Sequence, residues 1–256
     1  MVVLTRSMAA RRASLVHALP HDMAVEIAGH VAATSPTPVA DLGSLRASCR
    51  AMRAACGDRD VGRRVALERE AGAMRWSDHE RYLAVVGSLS GAGNPEACFL
   101  AGVALAFTQP QRARPGVELL GRAAKAGHRV AAYVRALLLY DGGAGAGDED
   151  DARRLIRQVE GEEVAAGQRW SNGECVQCRA QAVEAVRQAT WRMAELPASA
   201  VVALPEDDAD RCAVKGCGET EAWYEWAAFC SENCRIRHER GMFFSQLPLT
   251  VANFVI

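Results

Sequence analysis

This chain repeats itself, and the period limits what it can fold into. Gly93-Asn94-Pro95-Glu96-Ala97-Cys98-Phe99-Leu100 aligns with Gly127-His128-Arg129-Val130-Ala131-Ala132-Tyr133-Val134 at an offset of 34 residues. Further on, Val117-Glu118-Leu119-Leu120-Gly121-Arg122-Ala123 aligns with Ala152-Arg153-Arg154-Leu155-Ile156-Arg157-Gln158 at an offset of 35. The extra residue falls in the loop Gly142-Gly143-Ala144-Gly145-Ala146-Gly147. A period near 34 is that of helix-turn-helix solenoid repeats, in which a single unit cannot bury its own apolar face and must stack on its neighbours.

Composition agrees. Half of the residues are hydrophobic but only 6% are aromatic, so the apolar load is carried by alanine and other short side chains. Small residues at helix crossings let paired helices approach closely. A generic alanine-rich bundle is the plainer reading of the same text. The local run Leu120-Gly121-Arg122-Ala123-Ala124-Lys125-Ala126-Gly127, preceded by Gly-x-x-x-Ala, resembles a Sel-like repeat, a relative of the tetratricopeptide repeat. Two repeats are clear, and stability usually needs three. Helices around Arg81–Leu89 and Val176–Met193 are expected to cap the stack. The resemblance implies a concave surface that binds protein.

Upstream, Leu19-Pro20 opens a segment in which Met23, Ile27 and Val31 recur at i, i+4 and i+8, one stripe of a helix. Pro20 suits a first helical position, where its missing N–H is not needed. Thr34-Ser35-Pro36-Thr37-Pro38 stops that helix, and Asp41 is a good N-cap for a second. Leu42, Leu45, Cys49 and Met52 then recur at helical spacing, and Val61, Val65 and Leu67 suggest a third helix. Three short helices over about 50 residues make a small core that gains from a partner surface. This layout resembles an F-box, the helical module that docks proteins onto the Skp adaptor of a cullin ubiquitin ligase. By that resemblance Leu19, Pro20, Ile27, Leu42, Leu45 and Cys49 occupy adaptor-binding or supporting positions. An ordinary helical core is the alternative.

Cysteine spacing gives the second chemical feature. Cys212-x4-Cys217 and Cys230-x3-Cys234 form two close pairs joined by a short loop. Each pair can close on one tetrahedral zinc with little loop entropy, and a segment whose apolar content is mainly Trp223, Tyr224, Trp226 and Phe229 needs such a staple. His238, four residues past Cys234, is an alternative fourth ligand; a metal-free segment is the third possibility. The run Phe229-Cys230-Ser231-Glu232-Asn233-Cys234 resembles the second half of a MYND-type zinc finger. The middle Cys pair and final Cys of that family are missing, which leaves one structural zinc site. Cys175-x2-Cys178 reads as two cysteines on one helix, without the strand-helix setting of a redox site. Cys49, Cys56 and Cys98 read as small core residues.

These features imply an all-α chain: a three-helix F-box, a short α-solenoid of helix pairs and a small zinc-binding module. The expected boundaries are a flexible basic arm at 1–16 with Arg6, Arg11 and Arg12, the F-box at 17–70, repeats at 80–195, an acidic linker at 196–211, the zinc module at 212–240 and an apolar tail at 241–256 that packs back on the body. With 30 Lys and Arg against 31 Asp and Glu, the basic excess of a nucleic-acid binder is absent. No run approaches a membrane span, and no hydrolase or phosphate-loop motif is present. The chain is expected in cytoplasm or nucleus. The combination resembles a group of plant F-box proteins: non-catalytic subunits that hold a target protein for a Skp–cullin ligase. A scaffold or transcriptional cofactor without a ligase role is the alternative.

Overall fold

Helices carry nearly all the regular structure in the computed structural model, with one short strand pair beside them. It describes residues 19–109, 112–140, 146–161, 170–191 and 212–247. The basic arm, the acidic linker, most of the Gly142–Gly147 loop and the end of the apolar tail lie outside these residues. The chain divides into two compact units, residues 1–97 and 98–256.

In the first unit, α1 (His21–Thr34), α2 (Pro38–Ser48), α3 (Arg50–Ala55) and α4 (Arg59–Arg64) pack together and a 3-10 turn (Leu67–Arg69) follows. Helices α5 (Ala71–Ser77) and α6 (His79–Ala92) complete the unit. Helix α1 does bury one stripe at i, i+4 and i+8, but it is Ala24, Ala28 and Ala32. Small side chains let α3 and α4 come close, which large ones would prevent. The stripe of Met23, Ile27 and Val31 lies one residue away and faces outward at its start: Met23 is 55% exposed and Ile27 41%, while Val31 is half-buried.

Two other details differ from the sequence reading. Helix α2 starts at Pro38, with Thr37 as its N-cap residue, because proline at N1 sets φ for the helix. Asp41 therefore sits in the first turn, where its carboxylate accepts from the Ser35 hydroxyl and from Thr37 Oγ1 at 3.4 Å. The helix expected through Leu42, Leu45, Cys49 and Met52 breaks at Cys49. Its backbone is extended (φ −161°, ψ 169°) and its Sγ accepts the Met52 N–H at 3.4 Å, which caps α3. Helix α6, expected to end the repeat stack, packs on α4 and α5 within this unit.

The repeats run through α7 (Pro95–Thr108), α8 (Ala113–Lys125), α9 (Arg129–Leu139) and α10 (Ala146–Glu160). Their punctuation is periodic. Gly93, Gly127 and Gly161 have φ of 91°, 92° and 68°, the left-handed conformation that ends a helix and that glycine adopts without strain. The residue after each of the first two caps the next helix. Asn94 Oδ1 accepts from Ala97 N–H at 3.0 Å and His128 Nδ1 accepts from Ala131 N–H at 3.1 Å.

Helices α7 and α8 touch backbone to backbone. A Cβ on Gly116 would lie 2.7 Å from the Ala106 nitrogen and 2.9 Å from the Gly102 carbonyl oxygen. Gly116→Ala should therefore destabilise the fold by about 1–3 kcal/mol, although alanine is the better helix former. Gly43→Ala, whose Cβ meets nothing within 4 Å, should gain up to about 1 kcal/mol. Urea midpoints of the two variants should move in opposite directions.

Beyond the repeats, β1 (Trp170–Ser171) pairs antiparallel with β2 (Ala228–Phe229). Helix α11 (Gly173–Thr190) lies between them in sequence, and α12 (Glu232–Phe244) follows β2. α12 runs across residue 240, the expected end of the zinc module, and Ile236, Phe243, Phe244 and Leu247 share a core with Phe107, Tyr133 and Ile156 of the repeats.

Candidate functional site

The strand pair and α12 bring the two cysteine pairs together. Gly218 N–H donates to the Ala228 carbonyl at 2.9 Å, which holds the first pair against β2. Ser231 caps α12 by accepting the Cys234 N–H at 3.2 Å, so Cys234 stands on the first turn of a helix. Cys230 Sγ lies 3.3, 3.6 and 3.5 Å from the Sγ atoms of Cys212, Cys217 and Cys234. All four lie within 4.8 Å of one another. A tetrahedral zinc with Zn–S near 2.3 Å places its sulfurs about 3.8 Å apart. The donor set fits one soft ion with every position filled.

The surrounding hydrogen bonds suit thiolates. Val214 N–H donates to Cys212 Sγ and Cys230 N–H to Cys217 Sγ, both at 3.4 Å. The Val214 N–H, with help from the Cys230 thiol, brings the Cys212 pKa down to about 7. Cys230 is pushed up to about 12, because its contacts with Cys212, Cys234 and Cys217 hold its proton. Burial raises Cys217. A bound dication would replace these shared protons and hold all four sulfurs as thiolates.

His238 is not one of this group. Its ring sits 5.1 Å from that of Phe229, burial lowers its pKa, and its buried Nε2 has no hydrogen-bond partner among the described residues. The alternative ligand set that includes it is therefore not assembled.

Further along α12 lies a buried charge that no sequence pattern singles out. Glu239 is fully buried. Its Oε2 accepts from Tyr133 Oη at 2.8 Å and Arg179 Nε at 3.1 Å. Its Oε1 accepts from Asn172 Nδ2 at 2.5 Å and Arg179 Nη2 at 2.6 Å. Asn172 Oδ1 in turn accepts the Ala227 N–H at 2.6 Å, and Arg179 Nη1 donates to the Trp223 carbonyl. Arg235 Nη1 donates to the Ser171 carbonyl at 2.7 Å. The cysteine-bearing segment and the repeats are thus one hydrogen-bonded body. Partners 60 to 106 residues apart leave no local pattern in a sequence.

Cys175 and Cys178 lie on α11, buried among apolar residues. Burial raises Cys175 well above the ordinary thiol range and Cys178 to about 11, so both stay protonated and inert. Cys98 is buried, whereas Cys49 and Cys56 are half-buried.

The six N-terminal candidates separate into two sets. Pro20 and Ile27 are exposed, and Leu19 is half-buried beside them. Leu42 is buried, and Leu45 and Cys49 are half-buried. No described helix is long and apolar enough to cross a membrane.

No curated protein and no solved structure matches the chain. Residues 75–187 match the model of a family described as plant tetratrico peptide repeats. That stretch begins in α5, takes in both repeat pairs and ends in α11. Over that stretch the chain resembles helical repeats of the tetratricopeptide type found in plants, and such repeats suggest a role in binding other proteins.

Proposed function

We propose that the protein is a substrate-recognition subunit of a Skp–cullin–F-box ubiquitin ligase. The first unit would dock the adaptor, and through it the cullin. The repeats would hold a target protein. The observation that carries this reading is the outward stripe of α1. A helix that buries only small residues and turns Met23 and Ile27 to solvent offers a ready apolar contact for a partner. Catalysis would belong to other subunits. This chain would act by proximity, raising the effective concentration of target lysines near the conjugating enzyme.

The ion at the four cysteines would be structural zinc, since four sulfurs in tetrahedral array suit it and leave no open position for a reacting water. A cytoplasmic or nuclear site of action accords with nine cysteines in the sequence and no disulfide among the described residues. The repeat match by itself would fit equally a scaffold without a ligase role.

The two readings separate on adaptor binding. Leu19→Ala/Pro20→Ala alters the entry to α1 and Met23→Lys/Ile27→Lys removes its outward stripe, and both leave the alanine face of α1 intact. Each should reduce co-purification with a Skp adaptor at least tenfold relative to wild type. Undiminished capture by both folded variants, or no capture by wild type, would give the scaffold reading.

A further inference from the structure

The first unit holds a cleft of about 550 Å3 between α2, the turn before α4, α4 itself and α6, a size within the ~300–1,000 Å3 of small-ligand sites. Its floor is apolar. Leu42, Val61 and Val65 are buried there, and Val85 and Leu89 of α6 form the facing wall. Where α4 meets α6 the two helices pack closely: a Cβ on Gly62 would come within 2.8 Å of the Ala92 Cβ.

The polar lining is cationic. Arg46 and Arg59 both border the cleft. Arg59 Nε donates to the Ala92 carbonyl at 3.0 Å, which fixes the guanidinium and leaves its terminal nitrogens for an outside acceptor. The lining also holds one carboxylate, Asp58, whose Oδ1 accepts the Asp60 N–H at 2.8 Å, so the two guanidiniums outweigh it by one positive charge. Two guanidiniums over an apolar floor favour a molecule with the opposite arrangement. The planar fork of arginine matches a carboxylate in particular.

We propose that this cleft binds a monomeric hydrophobic carboxylate, with its tail against Leu42, Val61, Val65 and Leu89 and its head between Arg46 and Arg59. The assignment does not depend on the ligase reading. Two variants test it without threatening the fold. Gly43 borders the cleft and its Cβ would meet nothing within 4 Å, so Gly43→Trp can fill the space. Arg46→Glu reverses the charge at an exposed position of α2. The full chain is titrated by calorimetry with laurate below its micellar concentration, and with dodecyltrimethylammonium, which has the same tail and the opposite head. Laurate should saturate one site, each variant should weaken it at least tenfold with an unchanged Tm, and the ammonium should not saturate. No saturable laurate binding, equal binding of both amphiphiles, or wild-type affinity in both variants would overturn the assignment. So would loss of adaptor capture by Gly43→Trp in a chain that ignores laurate, since the cleft would then belong to a protein.

Discussion

Glu239→Gln should destabilise the second unit by about 3–5 kcal/mol, the usual effect of removing one member of a buried ion pair. The substitution keeps the shape of the side chain but takes away its charge. Arg179, fully buried at 0% exposure, is then left as an uncompensated cation. The amide also has a donor where Tyr133, Asn172 and Arg179 all require an acceptor. An exposed pair gives the contrast. Arg154 and Asp151 meet at 2.8 Å with side chains 66% and 41% exposed, and Arg154→Ala should change stability by less than about 1 kcal/mol. The double variant Glu239→Leu/Arg179→Met removes both charges and should recover more than half of the loss. It should not recover all of it, because the Trp223 carbonyl and Asn172 keep polar atoms without their partner. Urea denaturation of the four proteins measures this, and a Glu239→Gln midpoint equal to that of Arg154→Ala would refute the account.

That network shows where sequence reading reaches its limit. The repeat was legible because its determinants are local. Gly93 and Gly127 need a left-handed backbone, and Asn94 and His128 cap within three residues, so the pattern returns whenever the geometry does. The cysteine site was legible for the same reason, since each pair closes within six residues and only one junction is long-range. Which face of α1 is buried was not legible, because hydrophobicity ranks methionine and isoleucine above alanine. Burial at a close helix crossing is decided by size, and Ala24, Ala28 and Ala32 fit where Met23 and Ile27 do not. The break at Cys49 was hidden because a thiol at helical spacing looks like another core residue, and its capping bond depends on an extended backbone that spacing does not encode. The stretch Arg235-Ile236-Arg237-His238-Glu239-Arg240 reads as a solvated helix, yet Arg235 and Glu239 are wholly buried. Their partners lie on α9 and α11 and in the β1 turn, and nothing within the stretch announces them.

On the proposal that the four cysteines hold zinc, a chelator should lower the melting temperature of the second unit by about 8–16 °C. At free zinc about a thousand times its dissociation constant, binding adds about 4 kcal/mol to the folded state, and each kcal/mol moves Tm by about 2–4 °C in a unit of this size. The loss should reach the repeats rather than stay at the cysteines. Cys230 and Cys234 fix the start of α12, and Ile236, Phe243 and Phe244 of the same helix fill the core beside Tyr133 and Phe107. Glu239 lies between the two regions, so a loosened α12 disturbs its hydrogen bonds as well. Acid should act like a chelator. Thiolate ligation competes with protons, and the contacts of Cys230 with Cys212, Cys234 and Cys217, which push its pKa up to about 12, add to that competition. Binding therefore weakens as pH falls. Calorimetric melts at neutral pH with zinc, with a chelator and with zinc restored provide the measurement, alongside Cys230→Ser/Cys234→Ser, which should melt with the chelated protein and ignore added zinc. An unchanged Tm across all four samples would mean that the sulfurs gather without an ion, held by the strand pair and the cap at Ser231 alone.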